Sequence, residues 1–306
     1  MKIIESVPNF SEGRNAAVIE QLVNIVRGAA GVRLLDYSSD ANHNRTVITY
    51  AGSPEAVGDV SVALAEKAVE LIDLTKHSNE NPGEHPRIGA VDVMPFVPVE
   101  DVSMDECVAL SRVVAARIYN ECGLPVYLYE NSATADNRKN LADIRRGQFE
   151  GLSEKMKRPE WRPDFGEPAP HKTAGAVAVG ARGFLIAFNI NLNTNDITIA
   201  QNIAKIIRQS NGGLDCVKAI AVKLDDCAQI SVNITDYKKA PLYRVLEFVK
   251  FEAARYGAAV LNTELIGLAP ADALFDCAEY YLRFKDFKKE QVLDAKKICS
   301  KNFNVL

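Results

Sequence analysis

Histidine is scarce in this chain: four in 306 residues, at His43, His77, His85 and His171. Imidazole is the usual proton carrier near neutral pH, so acid–base chemistry has few places to sit. Cysteine is present six times, at Cys107, Cys122, Cys216, Cys227, Cys277 and Cys299. No two are spaced C-x-x-C and none falls in a metal-finger pattern, so reduced thiols in a cytoplasmic protein without a metal are expected. An excess of positive charge is missing too. The 36 Lys and Arg stand against 40 Asp and Glu, a net charge of −4. That excludes a bulk basic field for nucleic acid or anionic lipid. No apolar run approaches the length of about 18 residues that spans a bilayer. The most apolar stretch, from Val177 to Leu192, is interrupted by Arg182. At the N-terminus, Glu5 arrives before the apolar core of a secretory signal can form. The expectation is no membrane and no nucleic acid as partners.

Several chemical signatures are also absent. There is no G-x-G-x-x-G, no G-K-[ST], no G-x-S-x-G and no H-E-x-x-H. This argues against a dinucleotide enzyme, a P-loop NTPase, an α/β hydrolase and a common zinc protease. Asp40 to Asn44 imitates the start of a calcium loop. Arg45 in the sixth position and Ala51 in the twelfth, where Gly and Glu belong, exclude an EF-hand.

What is present is ordinary globular material, 47% hydrophobic and 25% charged, long enough for about two domains. A strand is expected over Lys2 to Phe10 and a helix from about Asn15 to Arg27. Strands follow at Val32 to Tyr37 and Thr46 to Ala51. Then come a helix capped by Ser53, a loop from His77 to Arg87, and a strand at Ile88 to Val97. A helix from Met104 to Glu121 and a strand from Pro125 to Tyr129 come next. The polar excursion 131–172 is crowded with proline at its end. From Phe184 to Ile266 the order is again β-α-β-β-α-β, and a last basic helix is expected over Lys289 to Ser300. The repeat is that of an α+β chain. Two ferredoxin-like (βαββαβ) subdomains, 1–178 and 179–306, carry antiparallel-rich sheets with helices on their outer faces.

Four constellations stand out. Gly83-Glu84-His85-Pro86-Arg87 holds a histidine on a segment stiffened by Pro86. It reads as a general base beside an anion holder, or as a solvated loop. Ser38 to Arg45 is either a plain turn or a device in which Asp40 orients a base and Arg45 grips a carboxylate. Val7 to Gly13, with Asn9, ends a strand. Asn189 and Asn191 hold the matching place in the second half and point to one face. Finally, 161–166 and 180–183 bracket a small-residue strand, as a linker or as a lid over a flat ligand.

These segments together resemble the glutamate formimidoyltransferase family, from Val7 to about Tyr280. The carrying motifs are VPNFSEG (7–13), NRTVITYAG (44–52), GEHPRIGAVDVMPF (83–96), PVYLY (125–129), PDFG (163–166) and GARGFLIAFNINL (180–192). The resemblance implies transfer of a formimino group from N-formimino-L-glutamate to tetrahydrofolate, in histidine degradation. His85 would be the catalytic histidine. An acidic residue of some relatives falls on Ser38, with Asp40 as its substitute. Asn9, Arg45, Arg87, Asn189 and Asn191 would face the donor. Folate would take Gly166, Glu167, Pro168, Ala169, Pro170, His171, Lys172, Thr173, Ala174 and Gly175, with Arg182 near its glutamyl tail. His77 is given no role. The resemblance further implies a homodimer with a separate cyclodeaminase downstream. The rivals are an N-formyl-L-glutamate donor, or a folate-binding paralogue without turnover.

Overall fold

A computed structural model describes residues 1–80, 83 and 85–293. The chain divides into two compact units, Met1–Gly183 and Phe184–Leu306.

In the first unit the opening strand is broken. Pro8 has no N–H to give a ladder, and the chain forms β1 (Ile3–Ser6) and β2 (Asn9–Phe10) on either side of it. Asn15 then caps α1 (Ala16–Gly28) through the amides of Ala17 and Val18. One face of α1 buries Val18, Leu22 and Val26. The hairpin β3 (Val32–Asp40) and β4 (Arg45–Gly52) follows. Next come α2 (Pro54–Leu71), capped by Ser53, a short α3 (Leu74–Glu80) and β5 (Val91–Glu100). The segment expected as a loop from His77 is thus helical at its start. The strand expected from Ile88 begins later, because Gly89 is engaged in an isolated bridge to Gly175. The strand order is β3-β4-(β1, β2)-β5, all antiparallel, which is the ferredoxin-like arrangement.

The sheet then extends. A capping box of Ser103 and Glu106 starts α4 (Met104–Cys122), and Gly123 in the left-handed region ends it. The strands β6 (Val126–Glu130) and β7 (Val177–Ala181) add in parallel, with β7 between β5 and β6. Side chains alternate across β6: Val126 and Leu128 join the core under α1, α2 and α4, while Tyr127 and Tyr129 face the other way. There they meet the excursion, which contains α5 (Leu141–Arg145) and α6 (Gln148–Met156). Ile144, Leu152 and Met156 pack on this second face. The excursion is therefore folded onto the sheet.

The second unit is a smaller copy of the same idea. Strands β8 (Ile186–Leu192), β9 (Val217–Lys223), β10 (Ala228–Ile234) and β11 (Val260–Ile266) take the order β11-β8-β10-β9, all antiparallel. Helices α7 (Ile197–Ile207) and α8 (Leu242–Ala254) bury Ile203, Ile207, Val245 and Val249 against Ile190 and Val232. Last comes α9 (Ala271–Leu282). The basic helix expected over Lys289 to Ser300 lies largely outside the described residues. Its described start, Lys289–Gln291, is a single 3-10 turn. Among the described residues no helix is long and apolar enough to cross a membrane.

Candidate active site

Three loops of the first unit meet at the tip of the β3–β4 hairpin. A Cβ on Gly13 would stand 2.2 Å from the carbonyl oxygen of Asp40 and 2.5 Å from the amide of Arg45. One on Gly83 would stand 2.4 Å from the carbonyl oxygen of His43. Only glycine allows both approaches, and Gly83 also needs its positive φ of 83°. Asn44 sits in the left-handed region at φ 47°, and its Oδ1 accepts from the amide of Gly13 at 2.9 Å. The turn after β2, the hairpin tip and the loop of His85 are thereby fixed together.

His85 is half-buried, and neither ring nitrogen is hydrogen-bonded to another described residue. Burial, and then the positive charges of Arg145, Arg45, His43 and Arg87, push its pKa down to about 2. The imidazole is neutral, with its lone pair available. The cations around it differ in commitment. Arg87 is 2% exposed and donates to Glu150 at 2.9 Å and Gln148 at 3.2 Å. Arg145 donates through Nε to Asp92 Oδ2 at 2.9 Å and pairs through Nη2 with the same oxygen. The other oxygen of Asp92 accepts from the amide of Ile88 at 2.9 Å. Arg45 forms no ion pair among the described residues, and its Nε is sealed from solvent without a hydrogen-bond partner.

Asp40 lies at the hairpin tip, where its carboxylate accepts from the ring of His43 at 2.9 Å and from the amides of Asn42 and His43. Burial works against its charge. The bonds from His43 and Asn42 outweigh burial and hold its pKa below the usual carboxylate range. Its hydrogen bonds go to His43 and Asn42, so any effect on His85 passes through His43. A second acid–base pair went unnoticed in the sequence. Glu12 is 7% exposed, and its Oε2 lies 3.5 Å from His77 Nε2. Burial raises its pKa, but His77 and the amides of Asn15 and Arg14 win and bring it to about 2. His77 Nδ1 faces the Asn44 amide at 3.4 Å. His77, given no role from the sequence, thus braces Asn44. The marker was Glu12 itself, an acid inside an otherwise capping turn. Glu84 lies outside the described residues.

The remaining expected residues spread out. Asn9 is half-buried between Val47 and Val93, its amide 3.4 Å from the carbonyl of Val7. The stretch from Gly166 to Gly175 starts where Phe165 bridges Val126 and closes where His171 exchanges two backbone bonds with Gly175. Glu167, Ala169, Pro170 and His171, with Tyr119 and Pro125, line an open depression of ≈ 380 Å³. Thr173 accepts from the amide of Leu74 at 2.8 Å, which ties this stretch to the start of α3. Pro168 and Lys172 are exposed, and the amide of Ala174 donates to His171 Nδ1 at 3.1 Å. Arg182 follows β7, donates to the carbonyl of Gly183 at 2.8 Å and offsets the buried charge of Glu5.

In the second unit, Asn191 is buried among polar partners. It donates to Asn262 at 2.7 Å and accepts from Gln229 at 2.9 Å. Asn189 lies opposite Ser231 and Glu264 on the same face. Among the described residues no three His, Cys, Asp or Glu side chains come together to hold a metal ion.

Comparison with known proteins adds the family. The description "Formiminotransferase domain, N-terminal subdomain" matches residues 3–182, and "Formiminotransferase domain" matches residues 187–300. A glutamate formimidoyltransferase of Streptococcus pyogenes serotype M1 is 53% identical, over 96% of this chain and 98% of its own length. One of Thermoplasma acidophilum is 44% identical, over 97% of each. A formimidoyltransferase-cyclodeaminase of Gallus gallus is 43% identical over 92% of this chain, which spans 53% of that longer relative. With both of its units matched in order, the chain belongs to the formiminotransferase family.

Proposed function

We propose that this protein transfers the formimino group of N-formimino-L-glutamate to N5 of tetrahydrofolate. The observation that carries the reading is His85, without a hydrogen-bond partner among the described residues, neutral and ringed by cations, on a segment that Pro86 stiffens. N5 attacks the formimino carbon, and the new C–N bond forms as His85 takes the N5 proton. The tetrahedral intermediate then breaks its bond to the glutamate nitrogen, which receives a proton from His85. No covalent enzyme intermediate is needed. A positioned acid–base of this kind contributes about 10²–10⁴-fold, and alignment of the two substrates supplies much of the rest. The folate belongs along Gly166 to Gly175, in the depression that Glu167, Ala169, Pro170 and His171 line. We read the protein further as a cytoplasmic homodimer whose product passes to a separate cyclodeaminase.

The test supplies tetrahydrofolate with N-formimino-L-glutamate or N-formyl-L-glutamate and follows product by absorbance. Turnover with the formimino donor is expected. His85→Ala should lower kcat by about 10²–10⁴-fold while folate binding persists. Near-normal turnover in that variant would remove His85 from the chemistry. Turnover with the formyl donor alone would replace the reaction.

A further inference from the structure

We propose that Arg145 is a specificity-determining residue: with Arg45 it receives one carboxylate of the dicarboxylic donor beside His85, and Asp92 and Lys155 hold it there. This rests on the transfer reaction proposed above and names how its donor is recognised.

The case starts from what each guanidinium has left to offer. Arg87 is closed off by Glu150 and Gln148. Arg45 carries a buried charge whose Nε has no partner among the described residues. Burying such a group is costly unless an anion completes it. Arg145 spends Nε and Nη2 on a single oxygen of Asp92, and its Nη1 donates to no described residue. The two arginines lie close enough that the charge of Arg145 acts on Arg45. Like charges brought together at a half-buried site repel, and a carboxylate between them relieves it. A forked guanidinium is suited to that anion.

Arg145 is also held from behind. It ends α5, and Lys155 Nζ donates to the carbonyls of Asp143 at 2.6 Å, Ile144 at 2.7 Å and Arg146 at 3.1 Å. The ammonium lies 3.9 Å from the Trp161 ring centroid. Five residues of helix cannot hold their own shape, and this clamp does it for them. Asp92 fixes the side chain and its second oxygen fixes Ile88, three residues after His85. One carboxylate therefore sets the cation and the loop of the base together.

A consequence for the order of events follows. Burial first, and then the charges of Arg145, Arg45, His43 and Arg87, make the imidazole of His85 a poor proton acceptor, even with Asp92, Glu150 and Asp40 paired to Arg145, Arg87 and His43. A donor carboxylate seated between Arg45 and Arg145 cancels part of that charge and makes His85 a better base when the donor is present.

The experiment compares wild type, Arg145→Gln, Arg145→Lys and Arg45→Gln. L-glutamate binding is measured by calorimetry, and turnover with N-formimino-L-glutamate and with its α-amide and γ-amide. Arg145→Gln should weaken glutamate binding and raise the donor KM by about 10- to 100-fold, leaving the folate KM within about 2-fold. It should also erase the preference of the wild type for the diacid over one of the two amides. A merely structural role would lower turnover of all three donors alike, and that outcome overturns the proposal. So does an unchanged donor KM, or absence of glutamate binding in the wild type. If Arg145→Gln fails to fold, Arg145→Lys and Arg45→Gln are read by the same criteria. If the wild type binds glutamate yet transfers nothing, the reaction falls while calorimetry still decides the role of Arg145.

Discussion

His85 and Glu12 answer acid in the same direction. His85 has a folded pKa near 2 against 6.5 for the free group, so the unfolded chain takes up its proton first. The stability this contributes is complete above 6.5 and is lost progressively as pH falls from there toward 2. Glu12, also near 2 against 4.5, contributes stability above 4.5 that is lost toward 2. Urea midpoints should therefore fall from pH 7 to pH 5, and faster below pH 4.5. His85→Gln should flatten the upper part of that curve and leave the lower part. A curve unchanged by that substitution between pH 7 and 5 would mean that His85 already titrates normally in the folded chain. At this scale the sequence was partly legible. The types His, Arg and Asp in turn-forming segments marked His85, Arg45 and Asp40. Distances could not be read: Arg87 is committed to Glu150, and Asp40 turns to His43. Arg145 was invisible because Arg146 beside it looks the same. Only the fold turns the first toward Asp92 and leaves the second on Asp143 at the surface.

Among the elements, α5 is the least able to stand alone. Its five residues gain their shape from the Lys155 clamp and from Ile144 in the small core with Tyr127, Leu152 and Met156. Lys155→Met keeps the volume and removes the three donors. It should cost about 1–3 kcal/mol of stability, because three carbonyls lose a charged partner. Amide exchange at residues 143–146 should quicken, and the donor KM should rise more than the folate KM. Exchange that stays as slow as in the wild type would show that the apolar contacts suffice. The strands and long helices were readable because periodicity and caps are local: Asn15, Ser53 and the Ser103–Glu106 box each mark a start. The excursion was not, since its order depends on partners far along the chain. Arg138 and Asp164 pair at 2.6 Å across 25 intervening positions; Leu128 donates its amide to Asp164 at 2.8 Å.

For the whole molecule, the two units have separate cores. Ile4, Leu22, Leu64 and Met94 belong to one, and Ile190, Ile203, Val232 and Val249 to the other. The doubled β-α-β-β-α-β order was visible in the sequence, but the parallel extension by β6 and β7 was not, because small residues fill β7. A fragment ending at Gly183 should fold, with a cooperative melt and a native-like near-ultraviolet spectrum from Trp161. It contains His85, Arg45 and Arg145 and should bind L-glutamate. A molten fragment would mean that the first core is incomplete alone.

The buried nitrogen of Arg45 has a practical side as well. Small oxyanions of a storage or assay solution carry the same charge as a donor carboxylate and compete with it for Arg45 and Arg145. Citrate and phosphate should raise the melting temperature and slow the reaction in competition with the donor, whereas a Tris or other cationic buffer leaves both untouched. The choice of buffer thus decides which state of this protein a bench measurement describes.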